Sequence, residues 1–383
     1  MRMMTAAALA AGLIAPWGAA GEARTGLQAG KVMRELQPPD GYTSTHSPEL
    51  LSNGGHAVGK ASDARGEQHT HVRWEPGGSV VRLGGLGSQW MDPRAITDDG
   101  VIAGHASTPD DKIHAVTWDA SGTPKRLEEP AGYLESWADD INNQHVTVGT
   151  ATLYHEIWAV RWDRDGRVTF LERPQGAIGS HATGINDSGE IIGGARFGSG
   201  LGAAVRWDAT GKVKYLGIDP LRSGAVDINN RGTIAGSAFD PTTNSWRAAR
   251  ALRCCIFRVM PGSSADSTLF DVNNRDVFLG RHRRADGWSD MVRWENDRMV
   301  VLKPVPGTTD IYVAPQLNDS GLAVGSSDRR AAIWDAVGNA SFLPDEKPGH
   351  TVQNSSATAI NNAGQVLGQV TYWDVPQHAV IWQ

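Results

Sequence analysis

Cysteine is nearly absent from this chain, and the only two, Cys254 and Cys255, are neighbours. Two cysteines cannot staple an exported chain into a disulfide framework. Consecutive Cα atoms sit ~3.8 Å apart, below the ~4.4–6.8 Å of a relaxed disulfide, so free or buried thiols are expected, with a vicinal disulfide as the alternative. Charge is also sparse. Charged residues make up 20% of the chain, the net charge is a mild −6, and no Lys/Arg block or basic stripe occurs. That excludes nucleic acid as an expected partner. No window carries a 3.6-residue apolar period, which excludes a helical bundle. Beyond the N-terminal segment no run approaches the ~18 apolar residues that cross a bilayer as a helix. Nucleophile motifs, metal-ligand spacings and cofactor loops are missing as well. "DRDG" at 163–166 reads as a hairpin turn and not a calcium loop, and "GSGLG" at 198–202 lacks the strand–turn–helix context of a dinucleotide fingerprint. No metal and no cofactor is therefore expected.

Glycine (45) and tryptophan (14) are plentiful, a composition of tight turns and short aromatic-bearing strands. Their arrangement is periodic. "LSNGGHAVG" ends at Gly59, "ITDDGVIAG" at Gly104, "INNQHVTVG" at Gly149 and "INDSGEIIG" at Gly193. "INNRGTIAG", "VNNRDVFLG", "LNDSGLAVG" and "INNAGQVLG" follow, ending at Gly236, Gly280, Gly325 and Gly368. The spacings are 45, 45, 44, 43, 44, 45 and 43 residues, the signature of a repeat architecture. Each repeat also holds an apolar run ending in Trp, at Trp74, Trp118, Trp162, Trp207, Trp294, Trp334 and Trp382, with Leu252 assigned to that place in the fifth. One such Trp per repeat is expected to pack between repeats and is not counted as a binding platform.

Residues 180–217 show the unit strand by strand: "SHATGIN", a turn at Asn186–Gly189, "EIIGGA", a loop, "AAVRWD", a turn, then "KVKYL". Asn or Asp followed by Gly suits tight hairpins because these residues accept positive φ. The Asn and Asp of the turn are expected to hydrogen-bond their own backbone. Four antiparallel strands per ~44 residues form a propeller blade, because one such sheet cannot bury both faces alone. The expected fold is all-β: an eight-bladed β-propeller of four-stranded blades. The last repeat stops at Gln383 without a fourth strand, while "GKVMREL" at 30–36 matches "GKVKYLG" at 211–217. Segment 30–36 is therefore expected to complete the last blade and close the ring, removing free sheet edges. Residues 30–383 read as one domain, expected to be monomeric. Ahead of it, Arg2, an apolar run from Ala6 to Ala15 and small residues near Ala20 and Ala23 read as a secretory signal over residues 1–23. The expected location is extracellular.

These units resemble the HAF repeat of predicted extracellular bacterial proteins, which carries "S-x-A-x-x-I-N-x-x-G-x-x-x-G" followed by "H-A-x-x-W". "SHATGINDSGEIIG", "IHAVTW" and "QHAVIW" fit that pattern. The resemblance covers nearly all of residues 30–383 and departs at Leu252, Asp276 and the first repeat. It implies an exported propeller-like protein and no particular reaction.

Comparing eight internal copies points to a site, because scaffold positions repeat and functional ones break the pattern. At the start of the first strand five copies align Ser136, Ser180, Ser223, Ser267 and Ser355, against His46, Met91 and Tyr312. Three residues on, Glu49, Arg94 and Asp139 occupy the first three copies; Thr183, Val226, Phe270, Pro315 and Thr358 follow. Trp90, Tyr133, Trp137 and His181 lie near these charged positions in sequence. The loops between second and third strands add Tyr154, His155, Trp158, Arg196, Phe197, Trp288 and Trp373. The leading expectation is a binding protein for a small molecule, glycan or surface partner. Its ligand set is Met91, Arg94, Tyr133, Trp137, Tyr154, Trp158, Arg196, Phe197, Trp288, Tyr312 and Trp373. The alternative is a lyase-, isomerase- or cyclase-type enzyme using His46 or His181 with Glu49 or Asp139 as general acid and base.

Overall fold

The computed structural model describes residues 31–383 apart from 155, 199, 218–221, 254 and 255. The segment read as a signal, His155 and the cysteine pair lie outside the described residues. Every regular element among those described is a β-strand. The strands form six four-stranded sheets and one of eight, in which the third and fourth repeats share a single parallel bridge, Ile157 to Gly179. Within each repeat the strands are antiparallel and sequential, as in Met91–Ile96, Ile102–Ser107, Ile113–Trp118 and Pro124–Arg126. The first strands of successive repeats lie beside one another and form the inner wall. The fold is a β-propeller.

Each repeated residue has an identifiable mechanical role. The Trp side chains are buried between sheets. The indole of Trp118 donates to Gly84 O, Trp162 to Glu128 O and Trp207 to Glu172 O, each a carbonyl just beyond the preceding repeat's fourth strand. Trp74 makes the same bond to Gln37 O, following the strand Met33–Glu35. The inner-strand Ser is equally structural: Ser136 accepts from Ala115 N, Ser180 from Ala159 N and Ser223 from Ala204 N of the preceding repeat. In the first repeat Thr45 takes this place, accepting from Ala379 N. The register opposes Thr45 to Ala61 and Ile311 to Ser327, as it opposes Ser136 to Ala151. The sequence alignment of His46 and Tyr312 with the serines was therefore one residue off.

The fifth repeat needs a similar correction. Its register places Ala251, not Leu252, where the other repeats carry Trp, and Leu252 is exposed. The gap is filled from the following loop by Phe257. That ring is buried and lies 2.9 Å from a Cβ built on Gly236, much as Trp74 lies 3.0 Å from one on Gly59.

The repeat-final glycine answers to a β-bulge in the inner strand. Pairing slips between Pro93 and Ala95, Ala138 and Asp140, and Ala182 and Gly184, leaving Arg94, Asp139 and Thr183 as the extra residues. Beside each slip the inner backbone presses on the second strand. A Cβ on Gly193 would stand 2.0 Å from His181 O, and one on Gly149 2.0 Å from Trp137 O. A bulge re-aims the residue it extrudes, and it does so at a position that changes from repeat to repeat, through Arg94, Asp139 and Thr183 to Val226 and Phe270.

The last sheet is completed by the N-terminal segment, Met33, Arg34 and Glu35 pairing with Trp382, Ile381 and Val380. Leu36 N donates to Ala379 O as Leu83 N donates to His71 O in the first repeat. No helix among the described residues is long and apolar enough to cross a membrane.

Candidate functional site

The two ends of the inner wall differ. At the turn end the "I-N-x-x-G" segments of all eight repeats line one opening of ≈ 340 Å³. As expected, Asn186 Oδ1 accepts from its own turn, from Ser188 N and Glu190 N. The rest of its chemistry corrects the sequence reading. Asn186 Nδ2 donates to Asn229 O of the next repeat, and the relay continues through Asn273, Asn318 and Asn361 to Ser52 O, at 2.7–3.2 Å. One residue further on, backbone N–H groups donate to side chains of the following repeat: Asn53 to Asp98, Asp98 to Asn143, Asn143 to Asp187, Asp187 to Asn230. Asn230 to Asn274, Asn274 to Asp319, Asp319 to Asn362 and Asn362 to Asn53 complete the circuit. These Asn and Asp residues fasten repeats together. The sequence missed this because hydrogen bonds between repeats leave no local pattern.

Just inside, Asp140, Asp227 and Asp271 follow the bulges and accept Ile185 N, Val272 N and Leu317 N of the next repeat. Burial pushes the Asp140 carboxyl up to about 7. Burial and the neighbouring Asp227 carboxylate push Asp271 well above the usual range.

Glu49, which lies in the longer slip between His46 and Leu50, and the bulge residues Arg94 and Asp139 belong to one charged wall built from the first three repeats. Lys60, opposite His46 on the second strand, stands 3.6 Å from Glu49. Asp92 lies 3.7 Å from Arg94 and 3.5 Å from His105. Burial raises the Glu49 carboxyl, opposed by Lys60. It also pushes Asp139 up to about 6, with Arg94 opposing and Asp92 reinforcing the shift. Burial, assisted by Lys60, lowers His71 to about 4, and burial likewise lowers His105. His46 is held by Ser62 Oγ at 2.5 Å and Ser47 Oγ at 3.2 Å, while Ser62 also meets His69 at 2.7 Å. Burial lowers His46, with His69 and Lys60 adding to it. These groups sense one another across three repeats, so the wall presents cations, carboxylates and neutral imidazoles side by side. Lys60, His71, Asp92 and His105 were not singled out in the sequence; Lys60 and His105 occupy a place held by Thr150, Gly194, Ser237, Arg281, Ser326 and Gln369 elsewhere.

The remaining candidates are dispersed. His181 sits on the fourth repeat's inner strand, its shift due to burial alone. Met91 and Trp137 are half-buried inner-strand residues near the wall. Tyr133 and Trp158 belong to another cluster, in which Phe170 contacts both rings at 5.4 and 5.2 Å and Arg173 covers Trp158 at 3.4 Å. Phe197 packs on Tyr215, with Arg196 exposed beside it. Tyr154, Trp288 and Trp373 are exposed on separate loops. Tyr312 is exposed beside a cavity of ≈ 380 Å³ that Asp310 and Arg329 also line.

One arrangement imitates a catalytic triad. His114 Nδ1 meets Glu129 Oε1 at 2.5 Å, and Ser136 Oγ reaches the same oxygen at 2.9 Å. Ser136 donates to the carboxylate rather than to the imidazole and is fully buried, so it is no nucleophile. Ser355 donates to buried Asp345 in the same way. Among the described residues no group of three or more His, Cys, Asp or Glu could hold a metal ion.

No family model matches the chain, and no curated protein matches it. Solved structures do. The β-propeller domain of the Trilobed protease from Pyrococcus furiosus is similar at 12% identity and TM-score 0.46, with 89% of this chain and 93% of that one covered. A streptogramin B lyase is similar at 9% identity and TM-score 0.44, covering 94% and 99%. TolB from Acinetobacter baumannii is similar at 17% identity and TM-score 0.40, and the match takes in 61% of this chain and 60% of that one.

Proposed function

We propose that this protein is an exported propeller of eight blades, closed into a ring, that binds a ligand on the inner wall of repeats 1–3. The observation that carries the reading is the single electrostatic wall formed by Glu49, Lys60, Asp92, Arg94, His105 and Asp139. Scaffold positions recur in every repeat; these do not. Eight blades are supported by the recurring four-strand register, and closure by the pairing of Met33–Glu35 with the last strand and the bonds from Asn361 and Asn362 to Ser52 and Asn53. Membership in the HAF-repeat group rests on the quoted segments, and export on residues 1–23.

The ligand is a small molecule, glycan or surface partner small enough to reach the inner wall. The test is thermal unfolding of the full chain against sugars, wall fragments, peptides and organic acids. A ligand at 100 times its Kd adds about 2.7 kcal/mol of stability. Glu49→Gln and Arg94→Gln are expected to remove the shift; a shift that survives in both variants overturns the site assignment.

A second reading, acid–base catalysis, is favoured by Asp139, whose carboxyl, pushed up to about 6 by burial against the opposing Arg94, is poised near neutral pH. Turnover of a bound ligand that Asp139→Asn abolishes while binding persists would establish it.

A further inference from the structure

Resting on the assignment of the ligand to this wall, we propose that the ligand is a polyhydroxylated carboxylate, a sugar acid. The wall keeps unspent hydrogen-bonding capacity. Lys60 Nζ is 3.6 Å from Glu49 and Arg94 is 3.7 Å from Asp92. Both separations exceed the ~2.7–2.9 Å of a tight charge-assisted hydrogen bond. The ammonium and the guanidinium fork therefore keep donors for a ligand, and their side chains are 34% and 49% exposed. A planar carboxylate matches the guanidinium fork.

The same wall is rich in acceptors, because the carboxyl oxygens of Glu49, Asp92 and Asp139 accept hydrogen bonds. A polyanion would be repelled by three carboxylates, and a neutral polyol would leave both cations unused. One carboxylate with several hydroxyls satisfies both sets: the carboxylate on Arg94 and Lys60, the hydroxyls on the acids. Trp90 supplies the remaining requirement. Its indole is 47% exposed and lies 5.4 Å from the His105 ring, offering a flat face to the C–H side of a sugar ring.

The experiment is calorimetric titration of the full chain with galacturonate and glucuronate disaccharides and with their neutral counterparts. The acidic sugars are expected to bind at least about tenfold more tightly, the effect of a single charge-assisted hydrogen bond. Arg94→Gln and Lys60→Met should each erase that preference, so that acidic and neutral sugars bind alike in each variant. Arg94→Lys, which keeps the charge and loses the fork, should retain part of it. Equal binding of acidic and neutral sugars, both lost in Glu49→Gln, would overturn the sugar-acid proposal and leave the wall as the site. An acidic preference unchanged in both cation variants would overturn the proposal and the site together. Failure of every sugar to bind, in a protein whose melting profile is intact, would overturn the sugar-acid proposal alone.

Discussion

Replacing Leu36 by Ala tests whether the N-terminal strand completes the last sheet as an integral part of the fold. Leu36 is buried at the junction of the last and first repeats, among Ala57, Val72, Trp74, Leu367 and Ile381. It occupies the place that Leu83, Leu171 and Leu343 hold elsewhere, and these are equally buried. Truncating a fully buried Leu removes its transfer free energy and leaves a cavity, together costing about 2–5 kcal/mol. Unfolding entropy of about 2.1 cal/mol/K per residue over about 350 residues is ~0.7 kcal/mol/K, so the melting temperature should fall by about 3–7 °C. Leu83→Ala, inside a repeat, is the reference. If the N-terminal strand is a structural equal of the others, the two variants lose the same stability in calorimetry and in urea titration. A loss at Leu36 below about 0.5 kcal/mol, beside a full loss at Leu83, is the response of a surface residue and would refute the closure argument.

Gly193→Ala should cost about 1–3 kcal/mol, because the new Cβ meets His181 O at 2.0 Å, whereas Gly198→Ala, with open space around it, should be neutral in the same melt. Asn186→Ala removes a buried amide that donates to Asn229 O and accepts from Ser188 N and Glu190 N; leaving those partners unmatched should cost about 2–4 kcal/mol in denaturant titration. For Asp140 the folded carboxyl is raised to about 7, so the folded state holds the proton more tightly than the unfolded state. Its contribution to stability is full below about pH 4 and is lost as the pH rises towards 7. Asp140→Asn, which can still accept from Ile185 N, should flatten the pH profile of stability between those values. At the ligand wall the same logic applies to Asp139: its protonation below about pH 6 removes a negative charge beside Arg94, so a carboxylate ligand should bind more tightly at pH 5.5 than at 7.5 in calorimetry.

The sequence by itself determined the all-β repeat, its period, the turns, the packing of Trp between repeats and the pairing of the N-terminal strand with the last one. All of these follow from local periodicity or internal comparison, because every repeat solves the same packing problem. It also located the variation at Glu49, Arg94 and Asp139. Tertiary structure decided the rest. That those three lie where the pairing slips and glycine lets the inner strand press close is something spacing cannot reveal. Lys60 meets Glu49 across two strands of one sheet and Asp92 meets Arg94 along one strand, and the stacking of sheets brings these pairs and Asp139 to one wall. Phe257 replaces a missing Trp from a different place in the chain, and the turn asparagines link repeats about 44 residues apart. Tyr133 and Trp158 went instead to an aromatic cluster with Phe170, since a list of aromatic residues near loops contains no directions. Local pattern sets which residues are exceptional; the stacking of sheets sets which exceptions meet.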